Sequence, residues 1–204
     1  DIIDKNLDPH QDTANEVSKL LGYLIQREDG KKMNYGFSYG LSKAAFSDMY
    51  GIDFVIAEKY YKSFQQARPE IRMLINKVAK LISQFGYIET IFGFRRRFPN
   101  AFGKKPRDIF WEAALAFNSM IMGTDGGIGK LSALRAIEYF AAKNIEIFPI
   151  LQEHDENVFM VPGCVDKDWF CRELKQVAEH VVELKSPLKV KIGVGKNWWE
   201  AKGK

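Results

Sequence analysis

The sequence predicts an α+β fold, mostly helical with a small antiparallel sheet. Three observations predict it. Apolar residues recur at helical spacing over several long stretches, the clearest being PEIRMLINKVAKLISQFG from Pro69 to Gly86. YIETIFGFRRRFP alternates instead and reads as a hairpin. IEIFPIL and VFMV read as two further core strands joined by a short acidic link.

The elements follow in order. DPHQDTANEVSKLLGYL reads as a helix, with Asp8 able to cap it and Pro9 suited to its first turn. REDGKKMNYGFSYG comes next, with its polar and aromatic residues at helical spacing. LSKAAFSDMYG is a short helix stopped by Gly51, and DFVIAEKYYKSFQQA starts at Asp53 as its cap. The Pro69 helix ends at Gly86. RDIFWEAALAFNSMIMGTDGGIGKLSALRAIEYFAAKN is a long helical region. DKDWFCRELKQVAEHVVELK is another helix, and LKVKIGV is a last strand candidate. There is no internal repeat or low-complexity linker.

A chain of 204 residues can form one large domain or two lobes with a real core. At 46% hydrophobic with mixed charges it reads as a soluble globular protein. No apolar run approaches the roughly 18 residues of a membrane span. No signal or transit segment opens it, so no membrane partner and a cytoplasmic location are expected. Cys164 and Cys171 match no zinc spacing and suggest a reducing compartment. A net charge of +4 permits a nucleic-acid partner without requiring one.

Four constellations bear on chemistry. In LQEHDENVF, a hairpin tip would hold Asp155 and Glu156 close together. Crowded carboxylates repel unless a cation neutralises them, and oxygen ligands suit Mg²⁺; a solvated acidic turn is the plainer reading. Arg27, Lys31, Tyr35 and Tyr39 follow one another at intervals of four, which places them on one drifting helix face. Two cations and two rings there could hold phosphates and a base or sugar, or form a charged face passing into a core. The three arginines of GFRRRFP, on a hairpin, suit either phosphate contact or solvent. GTDGGIGKL looks like a phosphate loop and is not one. Its glycine spacing is one residue too long, Leu131 stands in place of Ser or Thr, and no strand precedes it.

Taken in order, RxxxKxxNYGxxYG, GYIETIFGFRRRFP, FNSMIMGT, QEHDENVF and VGKNWWEAK resemble the C-terminal half of a family A DNA polymerase, over about Asp8 to Lys202. The resemblance implies the fingers and part of the palm of a right-hand polymerase: a lead-in helix over 1–26, fingers over 27–85 and C-terminal palm over 86–204. Arg27, Lys31 and His10 would contact the triphosphate of an incoming dNTP, with Lys31 steadying or protonating the leaving group. Tyr35 would pack on the incoming sugar and base, and Tyr39 near the template base. Asn118 and Gln152 would touch the primer–template minor groove, His154 would sit beside the primer terminus, and Arg95 and Arg96 would lie near the duplex backbone. Asp155 would bind Mg²⁺ with Glu156 supporting it, in a two-metal mechanism. A tyrosine at position 35 implies little discrimination against dideoxynucleotides.

The resemblance breaks in places. The family's first catalytic motif, similar to DYSQIELR and carrying the other metal-binding aspartate, has no counterpart in DIIDKNLDPH. The reading that follows is a split enzyme of phage type, inactive as an isolated chain. A second polypeptide would supply that aspartate, the thumb and possibly an exonuclease; a fragment of a longer chain is the other reading. An isolated chain would then expose a sheet edge and an apolar face. Met122, Ala114 and the glycines of GTDGG also depart from the family pattern, as do Glu28 and Asp29 between the two cations. An RNA-synthesising relative is disfavoured by HDE and NYGFSYG. A primer–template-binding accessory subunit without catalysis is the non-enzyme alternative.

Overall fold

The structure is a computed structural model and describes residues 8–202. It divides into two compact units, one reaching to Met122 and the other starting at Gly123. The α+β expectation holds: helices dominate, and the described strands form two separate antiparallel hairpins. The opening residues of the 1–26 segment, 1–7, lie outside the described residues.

The first unit begins with five helices: α1 (Pro9–Leu21), α2 (Arg27–Ser38), α3 (Lys43–Tyr50), α4 (Phe54–Ala67) and α5 (Pro69–Phe85). Their ends are set by local chemistry. The Asp8 carboxylate accepts from the His10 and Gln11 amides, and Asp53 does the same for Val55 and Ile56. Gly51 and Gly86 close α3 and α5 at φ of 62° and 72°, where a side chain would be strained. Val17, Ile25, Met33, Phe37, Phe46 and Phe64 bury themselves among α1–α4. At the α1–α2 crossing a Cβ on Gly30 would run into the His10 carbonyl oxygen, so only glycine permits this approach.

The hairpin β1 (Tyr87–Glu89) and β2 (Arg95–Arg97) follows, then a 3-10 turn (Pro106–Ile109) and the start of α6 (Phe110–Ala141). Ile75, Val78, Ile82, Ile88, Ile109 and Phe117 join α5, the hairpin and α6 in a second buried cluster. GTDGGIGKL lies wholly inside α6, so this glycine-rich stretch forms no loop.

The second unit holds the rest of α6, the hairpin β3 (Phe148–Glu153) and β4 (Glu156–Met160), α7 (Lys167–Glu179) and the short α8 (Trp198–Ala201). Its core is Ala136, Phe140, Ile147 and Phe170, with Phe140 and Phe170 stacked at 4.3 Å. Three expectations need correction. The strands around the acidic link are not core strands: β3 is exposed along its whole length and only β4 is half-buried. A two-stranded ribbon cannot cover both faces; Phe159 and Val161 reach the core while Ile150 and Leu151 remain in solvent. LKVKIGV forms no strand, since no described strand pairs with it. It is instead irregular, with the Val190 amide donating to Glu179. The helix expected through Lys185 stops at Glu179, whose carboxylate is occupied by that bond.

Candidate functional site

In the first unit, Arg27, Lys31 and Tyr35 share one face of α2, and Tyr39 is the residue that ends the helix. The expected stripe is therefore helical through Tyr35 and leaves the helix at Tyr39. The ring centroids of Tyr35 and Tyr39 remain 6.3 Å apart. Because α1 crosses so close to α2, the His10 ring comes within 5.5 Å of Tyr35. His10, Thr13, Asn34, Tyr35, Tyr39 and Arg68 line one cleft of about 360 Å³. Tyr35 and Tyr39, singled out by sequence pattern, thus meet His10, which that pattern alone did not single out; Arg27 and Lys31 lie further along α2 and do not line the cleft.

The two cations differ in their surroundings. Arg27 Nε donates to Asp8 Oδ2 at 2.6 Å, and an NH group of Arg27 donates to Glu28 at 3.1 Å. That guanidinium, with the cap amides, holds the Asp8 carboxyl down at about 2. Lys31 is exposed and has no ion-pair partner among the described residues. Arg68 ties the cleft floor together by an ion pair to Asp12 and a 3.3 Å hydrogen bond to Thr13 Oγ1.

Along α6, Phe117 and Ile121 also face the cleft. The Asn118 Oδ1 between them is buried and has no hydrogen-bond partner among the described residues. An unpaired buried acceptor is costly unless a ligand or water meets it. Arg95 donates to Glu89 at 2.6 Å and lies over the Tyr87 ring at 4.6 Å. Arg96 donates to Ser119 Oγ on α6 at 2.6 Å. Both side chains stay on the surface, and Arg97 beside them is exposed as well.

In the second unit, His154 and Asp155 make the turn between β3 and β4, and Glu156 opens β4 opposite Glu153. His154 has φ of 49°, a left-handed conformation that costs a residue with a Cβ. Its Nε2 lies 3.4 Å from Glu153 Oε1. Glu156 Oε2 lies 2.8 Å from Lys202 Nζ, and that ammonium also sits 4.0 Å over the Trp198 ring. Gln152 is exposed, with its amide nitrogen 3.0 Å from where a Cβ on Gly129 would stand. Asn157 donates to the Gly129 carbonyl at 2.8 Å. The glycine therefore lets the hairpin sit close on α6.

Asp155 and Glu156 offer carboxylate oxygens, the donor type that Mg²⁺ takes. No group of three His, Cys, Asp or Glu able to hold a metal occurs among the described residues. The donor set thus has the right chemistry and is incomplete. Asn34, Lys202 and Gly129 are site residues that sequence reasoning missed. The stretches NYG, WWEAK and GTDGGIGKL contained all three without indicating what each would touch.

A family model described as DNA polymerase family A matches residues 1–200. DNA polymerase I of Deinococcus radiodurans is 33% identical over 199 residues, covering 96% of this chain and 20% of that protein. The thermostable DNA polymerase I of Thermus aquaticus is 29% identical over 204 residues, covering 98% of this chain and 24% of that protein. The chain thus spans about a fifth to a quarter of the length of these curated relatives. The POL domain of Pol1 from M. smegmatis, solved in complex with DNA primer-template and dNTP, superposes with a TM-score of 0.83. It is 21% identical, and the match covers 98% of this chain and 36% of that one, a likeness of fold. This chain belongs to DNA polymerase family A.

Proposed function

We propose that this chain is the fingers and part of the palm of a template-directed DNA polymerase, adding deoxynucleotides to a primer 3′ end. The observation that carries the reading is the close approach of α1 to α2, which brings His10 to Tyr35 at a cleft they share with Tyr39, while Arg27 and Lys31 lie along the same face of α2 as Tyr35. Two cations, an imidazole and an aromatic platform match the phosphates, sugar and base of a dNTP. Lys31, exposed and without an ion-pair partner among the described residues, suits the most highly charged end of that ligand. Arg27 reaches it by sharing or releasing Asp8. In domain terms, 1–26 leads into fingers at 27–85, and 86–204 is palm.

Asn118 and Gln152 would read the primer–template minor groove, which gives the unpaired Asn118 acceptor a partner. Arg95 and Arg96 would lie along the duplex backbone, and His154 beside the primer terminus. Asp155 and Glu156 would hold Mg²⁺, which, when bound, supplies charge neutralisation at the reacting phosphate. Those two carboxylates do not suffice for two ions, so further oxygens come from the nucleotide and from a carboxylate outside residues 1–204. A second polypeptide, or a further segment of the same polypeptide, would supply that carboxylate. The exposed β3 strand, with Phe148, Ile150 and Leu151 in solvent, offers an edge for such a partner. No described helix is long and apolar enough to cross a membrane.

Primer extension with Mg²⁺ and all four dNTPs, on native material that retains any partner, tests the reading. Lys31→Ala should lower synthesis by about 100-fold or more, since charge stabilisation at a leaving group contributes on that scale. Unaltered synthesis would refute the nucleotide-site assignment and favour an accessory role in DNA binding.

A further inference from the structure

We infer that Asn34 is a positioning residue for His10, holding its imidazole as the Nε2–H tautomer so that the ring offers an N–H donor to an anion in the cleft. The inference rests on the nucleotide site proposed above. The Asn34 amide has its orientation dictated by the Pro9 carbonyl, a group that cannot switch roles. Asn34 Nδ2 lies 3.1 Å from the Pro9 carbonyl oxygen, which can only accept. Turning the amide over would set two acceptor oxygens against each other. On its other side, Asn34 Oδ1 lies 3.0 Å from the Thr13 hydroxyl, which can donate to it.

With the amide so placed, its second N–H points to His10 Nδ1 at 3.1 Å. An amide nitrogen never accepts, so Nδ1 must be the unprotonated nitrogen of the neutral ring. The proton then resides on Nε2, which has no hydrogen-bond partner among the described residues. The Thr13 hydroxyl is itself fully buried, receives a hydrogen bond from Arg68 and has the Pro9 carbonyl and Asn34 Oδ1, each at 3.0 Å, as acceptors for its one proton, so Arg68, Thr13, Asn34 and His10 form one connected network. Its open end is a donor on the cleft wall beside Tyr35. A phosphate oxygen accepts such a bond; the other tautomer would present a lone pair and repel it.

The first experiment is two-bond ¹H–¹⁵N correlation NMR on the 204-residue chain at mildly alkaline pH, with the His154 and His180 resonances assigned by substitution. His10 should show a protonated Nε2 and an unprotonated Nδ1, and the opposite pattern overturns the inference whether or not any variant folds. Asn34→Asp, close in shape but able only to accept, should invert the pattern. The second experiment is equilibrium titration with dATP and Mg²⁺. Asn34→Ala should weaken affinity about tenfold, the scale of one hydrogen bond to a charged group. In a His10→Ala background the same substitution should cost nothing further. Equal losses in both backgrounds would show a merely structural role and overturn the inference. If His10→Ala alone leaves dATP affinity unchanged, the nucleotide-site reading fails for this residue. The role of Asn34 at that site falls with it, while the NMR pattern still reports the tautomer.

Discussion

Lys202 Nζ lies 2.8 Å from Glu156 Oε2, so the last described residue of the chain is tied to the carboxylate that follows the His154–Asp155 turn. The same ammonium lies 4.0 Å over Trp198, which anchors it from the side of α8. A lysine here holds Glu156 in place. Lys202→Ala should raise the Mg²⁺ concentration needed for half-maximal synthesis by several-fold, with thermal stability changed by less than about 1 kcal/mol. Lys202→Arg should restore most of the loss. A titration of synthesis against Mg²⁺ checks this, and an unchanged midpoint for Lys202→Ala would contradict it.

Tyr35 is about half exposed, at 48%, with its ring between His10 and Tyr39. Its hydroxyl can replace the 3′-hydroxyl that a dideoxynucleotide lacks. On the proposed function, dideoxynucleotides should be incorporated almost as readily as deoxynucleotides. Tyr35→Phe should increase discrimination on the order of tenfold or more, the loss of one hydrogen bond to a charged group. Competition between dideoxynucleotides and deoxynucleotides in primer extension measures both. Strong exclusion by the native protein, unchanged by Tyr35→Phe, would refute the role.

Two glycines in helices should respond oppositely to alanine. At Gly30 the new methyl meets backbone, the His10 carbonyl, which cannot step aside without moving α1. Gly30→Ala should destabilise by about 1–3 kcal/mol despite the better helix propensity of alanine. At Gly129 the methyl meets only the tip of the exposed Gln152 side chain, at 3.0 Å. Gly129→Ala should leave stability equal or raise it by up to about 1 kcal/mol, while weakening primer–template binding through displaced Gln152. Denaturant unfolding and DNA-binding titrations separate the two.

Asp8 connects stability to pH. Its carboxyl is held at about 2 from an ordinary 3.8, first by the hydrogen bond from Arg27 and then by the cap amides, against some burial. A depressed carboxylate contributes stability that is fully present above pH 3.8 and is lost as pH falls through about 2. Arg27→Ala should move the Asp8 titration upward toward 3.8, and Asp8→Asn should flatten this part of the acid unfolding curve. A carboxyl-detected NMR titration reads the first directly.

What could be read from sequence was what short-range chemistry decides. Asp8, Asp53, Gly51 and Gly86 each act on amides or carbonyls a few residues away, so their caps were legible. The spacing of Arg27, Lys31 and Tyr35 was legible for the same reason, because a helix alone brings them to one face. LKVKIGV was misread because its β-branched pattern specifies only a willingness to pair, and no described strand lies beside it. The burial of β3 was misread because periodicity does not say what covers a strand. Asn34 and Lys202 stayed hidden because each acquires its role from a distant segment, the Pro9 carbonyl in one case and Glu156 in the other.

The most direct test of the account is primer extension by native material carrying Asp155→Asn, with Mg²⁺ and all four dNTPs. The substitution keeps the size of the side chain and removes its charge at the tip of the β3–β4 turn. The account predicts synthesis reduced by about 1,000-fold or more with primer–template binding retained, since loss of a metal-binding carboxylate removes several kcal/mol of transition-state stabilisation. Synthesis at the native rate by the Asp155→Asn protein would contradict it.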